Sequence, residues 1–134
     1  MIKILKKKFN LEKEIDAIKL KHNEIGAVSI FVGYVRNTNN KKKVKSLFLE
    51  VYENMAYNYL EKITNSAKKK WSLKDILVIH RYGKINIGEK IVLVAAFSKH
   101  RNNGELACKH IMNLLKKNAP FWKKEFYNKN YEWL

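Results

Sequence analysis

The sequence predicts an α+β sandwich of mixed and antiparallel strands with three main helices. Three observations predict it. Hydrophobic residues make up 46% of 134 positions, enough for a core. Helical and strand-like apolar segments are interspersed without strict βα alternation, which argues against a doubly wound parallel sheet. No Pro-, Gly- or Ser-rich linker interrupts the chain, whose single proline is Pro120, so residues 1–134 read as one domain.

Asn10 to Lys21 is expected to be a helix capped by Asn10, with Leu11, Ile15 and Ile18 on one face. Ala27 to Arg36 reads as a largely buried strand, and Asn37 to Lys43 as a polar turn or mobile loop. Val44 to Tyr52 is a second strand. A helix follows from about Asn54 to Lys70, where Ala56, Leu60, Ile63 and Ala67 recur at helical spacing and Trp71 stands at the end. Ile76 to Tyr82 is a strand, Asn86-Ile87-Gly88-Glu89 a turn, and Lys90 to Lys99 another strand. Asn102 to Asn118 is the last long helix, with Leu106, Ile111, Leu114 and Leu115 expected to face the core. Pro120 ends it by disfavouring helix in the residue before it. The tail from Phe121 to Leu134 is aromatic and open to short strands. The order is helix, strand-strand-helix twice, then tail, which makes the two repeated units candidates for a pseudo-repeat.

Composition removes several function classes. The apolar runs Ala27 to Val35 and Ile91 to Phe97 fall well short of the roughly 20 residues of a membrane-spanning helix. Met1 to Lys8 has no continuous apolar region like that of a signal peptide, so the protein reads as cytosolic. The single cysteine, Cys108, can form neither an intrachain disulfide nor a cysteine-based metal site. If sulfur is handled, it arrives on something else. No Gly-rich phosphate loop is present, and no metal or cofactor is expected.

The net charge of +16 invites a small basic RNA-binding module as one reading. Of 28 basic residues, however, only Arg36, Arg81 and Arg101 are arginine, and the lysines are spread along the chain. Most of them read as solvated surface. The aromatics lack the alternating strand pattern of an RNA-recognition surface. Lysine replaces arginine wherever a point charge suffices, but not where a planar fork must hold carboxylate or phosphate. Each arginine is therefore a candidate for that role. Arg36 and Arg101 are the better ones; a buried ion pair is the plain alternative for Arg81.

Four segments carry candidate chemistry: Gly33 to Asn37, His80 to Gly83, Ser98 to Arg101, and Lys116 to Lys124. Arg36 ends a strand. His100 and Arg101 stand where a strand leads into the last helix, whose free N–H groups favour an anion; a capping or core role is the alternative for His100. Lys116 lies in the last helical turn and Lys123 beyond the proline. Pro120, Phe121 and Trp122 between them suggest a rigid apolar wall that sets both lysines over one pocket. A lysine desolvated near other cations has a lowered pKa and becomes a usable acid, base or nucleophile. Lys117 and Lys124 are left to solvent. Cys108 reads as a small core residue. Glu50 and Glu53 are open to an acid–base pair or to a solvated strand end.

Together these segments resemble the MoaE family, the large subunits of molybdopterin synthases. The resemblance runs from about Gly26 to Trp133. It rests on Gly33-x-Val35-Arg36-Asn37, Val78-Ile79-His80-Arg81-x-Gly83, Ser98-x-His100-Arg101 and Ala119-Pro120-Phe121-Trp122-Lys123-x-Glu125, in the family's order and spacing. It implies an α/β hammerhead-type fold and a homodimer. Each subunit would bind a small ubiquitin-like sulfur carrier at the far end, completing a heterotetramer. The carrier's C-terminal Gly-Gly thiocarboxylate would enter the pocket. Two sulfurs would pass to cyclic pyranopterin monophosphate to form the dithiolene of molybdopterin, within molybdenum cofactor biosynthesis.

The resemblance also assigns residues. Arg36, His100, Arg101, Lys116 and Lys123 would surround substrate and tail. Lys116 would be the catalytic lysine, moving protons or transiently capturing the carrier's carboxyl. Lys123 would orient substrate and stabilise developing negative charge. Arg36, His100 and Arg101 would hold phosphate and carboxyl groups. Tyr34 and Val35 would line the pocket through their backbone, with Phe31 and Met112 as walls or core. Many members carry a basic tail beyond the position of Trp133; with the chain ending at Leu134, its contact to a neighbouring subunit is expected to be missing or supplied from elsewhere. A non-catalytic scaffold that captures a Gly-Gly tail is the remaining alternative.

Overall fold

The computed structural model describes residues 1–39, 41–127 and 131–134. In chain order the elements are β1 (Ile2–Leu5), α1 (Leu11–Lys19), β2 (Ala27–Tyr34), β3 (Thr38–Asn39), β4 (Lys42–Lys43), β5 (Ser46–Val51) and α2 (Glu53–Lys70). They continue with β6 (Asp75–Arg81), β7 (Gly83–Asn86), β8 (Lys90–Ser98), α3 (Arg101–Asn118), β9 (Phe121–Phe126) and β10 (Tyr131–Trp133). This is the α+β class that the sequence predicts. Among the described residues no helix is long and apolar enough to cross a membrane.

One sheet has the order β1-β6-β8-β2, with β1 parallel to β6 and the other pairs antiparallel. Its two central strands are continuously apolar from Ile76 to Ile79 and from Ile91 to Phe97 because both faces are covered there. Ile76, Val78, Val92, Val94 and Ala96 pack with α2 and α3. The alternate residues Leu77, Ile79, Leu93, Ala95 and Phe97 pack with Ile18 of α1. That helix starts where expected, since the Asn10 side chain accepts from the Lys13 N–H at 2.9 Å. Leu11 and Ile15 join Ile18 on its apolar face. The second sheet has the order β10-β9-β5-β7 and closes over Val35, Leu47, Leu49 and Ile85.

Several expectations change. Residues 2–5 form a strand that the flanking lysines hide in the sequence, and residues 83–86 form another where only a following turn was expected. The polar segment at 37–43 folds back as the small β3–β4 hairpin, with Lys41 at φ 67°; Asn40 lies outside the described residues, as do residues 128–130 of the tail. Otherwise that tail forms β9 and β10. The two strand-strand-helix runs are not a repeat, because β2 and β5 lie in different sheets while β6 and β8 are neighbours in one.

Two faces were also misassigned. β2 is an edge strand, not a largely buried one, and leaves Ile30 and Phe31 45% and 42% exposed. On α3 the buried residues are Gly104, Ala107, Cys108 and Ile111. Leu106 sits about 100° around the helix from Ala107 and is exposed.

Gly26 sets the junction between β2 and the end of β8. Its N–H donates to the Ser98 carbonyl at 2.9 Å, and a Cβ there would meet the Lys99 carbonyl oxygen. Backbone rather than a flexible side chain opposes the added methyl. Gly26→Ala is therefore expected to destabilise the fold by about 1–3 kcal/mol, as overpacking does. Denaturant midpoints of the two proteins check this.

Candidate active site

The two lysines meet because a helix ends and a strand begins between them. Ala119 adopts an extended conformation (φ −66°, ψ 138°) ahead of Pro120, which stops α3. The chain then runs directly into β9, where side chains alternate between faces. Phe121 and Lys123 point into an open pocket of about 520 Å³. Lys116, from the last turn of α3, lines the same pocket, with Phe31, Gly33, Tyr34, Met112 and Leu115. Phe31 and Met112 are thus walls of it.

The alternation corrects two expectations. Trp122 is not part of the wall: it faces the other way, against Tyr52, with ring centroids 4.9 Å apart. Lys124 is not left to solvent but lies over the rings of Tyr131 and Trp133, at 4.1 and 4.7 Å from their centroids.

A smaller cavity of about 120 Å³ adjoins the pocket, sharing Tyr34, Ile91 and Lys123 with it. Val35, Arg36, Asn39 and Glu125 also line it. Asn39 donates a hydrogen bond to the buried Glu125, which ties the β3 hairpin to β9. Arg36 lies two residues past the end of β2, which stops at Tyr34 rather than running to Arg36 as expected. Tyr34, Val35, Arg36, Lys116 and Lys123 therefore form one continuous constellation.

Its electrostatics are strained in the useful direction. Burial of the Lys123 ammonium against the pocket walls pushes its pKa below the ordinary lysine value, and the charges of Lys116 and Arg36 push it further, against the pull of Glu125. Its side chain still touches solvent, so a neutral amine can form without sealing the site. A lowered lysine pKa has a stability consequence. Protonation then favours the unfolded chain, so stability rises as pH climbs from the lowered folded value towards the ordinary unfolded one. Lys123→Met is expected to raise the thermal midpoint near neutral pH and to remove that alkaline gain. Midpoints across a pH series check it.

His100 and Arg101 are not in this constellation. Both are exposed at the start of α3, with His100 at the N-cap position but making no side-chain cap bond. Along the helix axis Arg101 and Lys116 are roughly 22 Å apart. Within one chain the expected residues thus fall into two groups at opposite ends of one helix. Arg81 serves the fold: it is buried, bonds the Lys6 carbonyl at 2.9 Å and lies 3.6 Å from Glu89. Cys108 is a core residue, as expected, with burial raising its thiol pKa. Sequence reasoning gave no role to His80, whose ring lines the pocket and stacks on Phe121 at 3.8 Å. Its place in the His80-Arg81-x-Gly83 segment was the available signal.

The family model described as MoaE protein matches residues 4–118. The chain belongs to the MoaE family. A molybdopterin synthase catalytic subunit from Ralstonia nicotianae is 41% identical over 133 residues, covering 99% of this chain and 76% of the relative. One from Haemophilus influenzae is 44% identical over 112 residues, covering 84% and 75%. Among solved structures, a molybdopterin biosynthesis MoaE protein from Burkholderia ambifaria superposes with a TM-score of 0.87 at 35% identity, covering 100% of this chain and 88% of the other. Molybdopterin synthase from Staphylococcus aureus gives 0.89 at 29% identity, covering 98% and 95%. The pocket between α3 and β9 is thus built on a MoaE scaffold, which fits the resemblance drawn from the four motifs.

Proposed function

We propose that this MoaE chain is the catalytic subunit of a molybdopterin synthase. It takes sulfur from the C-terminal thiocarboxylate of a small ubiquitin-like carrier and transfers it to cyclic pyranopterin monophosphate, forming the molybdopterin dithiolene. The observation that carries this reading is the convergence of Lys116 and Lys123 on one open pocket. Its volume falls in the range of small-molecule sites, roughly 300–1,000 Å³. The net charge of +16 draws in an anionic substrate. The buried, inert Cys108 leaves the sulfur to be delivered by the carrier.

In this reading Lys116 moves the protons that sulfur addition requires, or its amine takes the carrier's terminal carbonyl from the transferred sulfur, which leaves with the pterin, as an amide that water then hydrolyses. Lys123 orients substrate and offsets developing negative charge. Arg36, from the adjoining cavity, grips an anionic group with its planar fork, and Tyr34 and Val35 shape the wall. His100 and Arg101 serve the same kind of site from a second copy of the chain, since the length of α3 keeps them from their own. The exposed Ile30 and Phe31 on the free edge of β2, with Leu106 on the α3 helix that packs against that strand, are apolar surface suited to such a copy. Residues 1–134 then act as one cytoplasmic large-subunit domain, dimeric and carrying two carriers.

Reconstitution tests the reading. Purified chain, thiocarboxylated carrier and the pterin precursor are expected to yield the dithiolene product. The carrier bound with no conversion would leave only a tail-capturing scaffold.

A further inference from the structure

His80 is a buried titratable group of the pocket with no part in the reactions above. It is the penultimate residue of β6, and its ring lies nearly parallel to Phe121, 18° between planes. Its Nδ1 is 2.8 Å from the carbonyl oxygen of Arg81. A carbonyl oxygen only accepts, so Nδ1 carries the hydrogen and donates it. The lone pair of the neutral ring is then on Nε2. Among the described residues no side-chain nitrogen sealed from solvent lacks a hydrogen-bond partner. With Nδ1 committed to the backbone and the ring lining the pocket, Nε2 borders the open space.

The chemistry of that nitrogen differs from its surroundings. Lys116 and Lys123 offer donors, suited to phosphate, carboxylate and sulfur. An N–H edge needs an acceptor. Burial, with a smaller push from the charge of Lys123, lowers the pKa of His80 to about 4 despite the opposing bond to Arg81. Near neutral pH the ring is therefore too weak a base to carry a proton, but its lone pair is free to accept a hydrogen bond. Stacking on Phe121 and the backbone bond fix where it points.

We infer that His80 is a ligand-contacting residue whose Nε2 accepts a hydrogen bond from an N–H of the pocket's occupant. The donor is either a ring N–H of the pterin or a backbone amide N–H of the carrier's tail; naming these two occupants rests on the sulfur-transfer reading. Such a contact sets the orientation of the occupant rather than the chemistry of sulfur addition.

Nitrogen NMR of the full chain, labelled in the histidine rings, tests it on the native protein. Free chain is expected to show a protonated Nδ1 and a bare Nε2 for His80 near neutral pH. Saturation with carrier ending in an ordinary carboxylate, or separately with the pterin precursor, is expected to move the Nε2 resonance upfield in one titration. The titrant that does so identifies the donor. A bare Nδ1 in the free chain, or an unmoved Nε2 under both saturating titrants, overturns the inference.

Variants give a second reading. His80→Phe keeps the ring stack and loses the lone pair, and is expected to weaken that same titrant roughly five- to tenfold, the size of one hydrogen bond. His80→Gln, whose side-chain oxygen stands in for Nε2, is expected to recover most of the loss. Equal losses in both variants, or equal weakening of both titrants, indicate packing alone and overturn the assignment. Because these are binding readouts, absence of turnover in the reconstituted enzyme counts against sulfur transfer and not against this contact.

Discussion

Lys116→Ala is expected to lower turnover by roughly 10²–10⁴-fold, the usual contribution of a positioned proton-transfer group. Carrier binding and the thermal midpoint are expected to change little. The magnitudes separate the two effects. A lysine in the last turn of a helix stabilises it by about 0.3–1 kcal/mol through the dipole. The kinetic loss corresponds to roughly 3–5 kcal/mol of transition-state stabilisation. Lys116 is exposed on its helix, so removing its side chain opens no core cavity. Lys116→Arg is expected to rescue poorly, because an arginine stays protonated and can neither take up a proton nor form an amide with the carrier's terminal carbonyl. Single-turnover assays with preloaded carrier check both variants. Normal turnover by Lys116→Ala would move the chemistry to Lys123.

Mixing two inactive variants is expected to restore activity. In a two-fold dimer whose sites each take Lys116 from one copy and Arg101 from the other, a mixed pair of Lys116→Ala and Arg101→Ala chains holds one site with both defects and one site with neither. With random exchange, about a quarter of wild-type activity returns. If all functional residues came from one chain, no activity would return. The prediction follows from the length of α3, which puts Arg101 and Lys116 roughly 22 Å apart, and from the exposure of His100 and Arg101 at its start. Refolding or subunit exchange of the two variants, followed by the turnover assay, decides it.

How much of this was legible depended on whether the deciding interaction was local. The helices were readable because 3.6-residue periodicity and caps are properties of a short segment. The break at Pro120 was readable for the same reason, and with it the approach of Lys116 to Lys123. Which face meets which neighbour was less so. The apolar run of β2 looks like a buried strand, yet β2 is a sheet edge whose Ile30 and Phe31 stay 45% and 42% exposed. Leu106 misled similarly, because an apolar residue beside the buried stripe of α3 is as compatible with a surface for another molecule as with the core. The alternation along β9 was overlooked: reading Phe121 and Trp122 as one wall treated neighbours in a strand as if they shared a face. His80 was hidden for another reason. Its role depends on a stack with Phe121 and on the open pocket beside it, and neither is local in sequence.

That alternation also governs which changes in length the protein tolerates. A single residue inserted or deleted between Pro120 and Lys123 does more than shift a side chain. Every residue beyond it changes face at once, because the period of a strand is two. Lys123 would turn out of the pocket, and the aromatic-bound Lys124 would turn into it. Substitution can explore this segment one position at a time, whereas odd-numbered length changes invert it outright. Length variation between relatives is therefore expected to gather in the β3–β4 hairpin and to spare the six residues of β9.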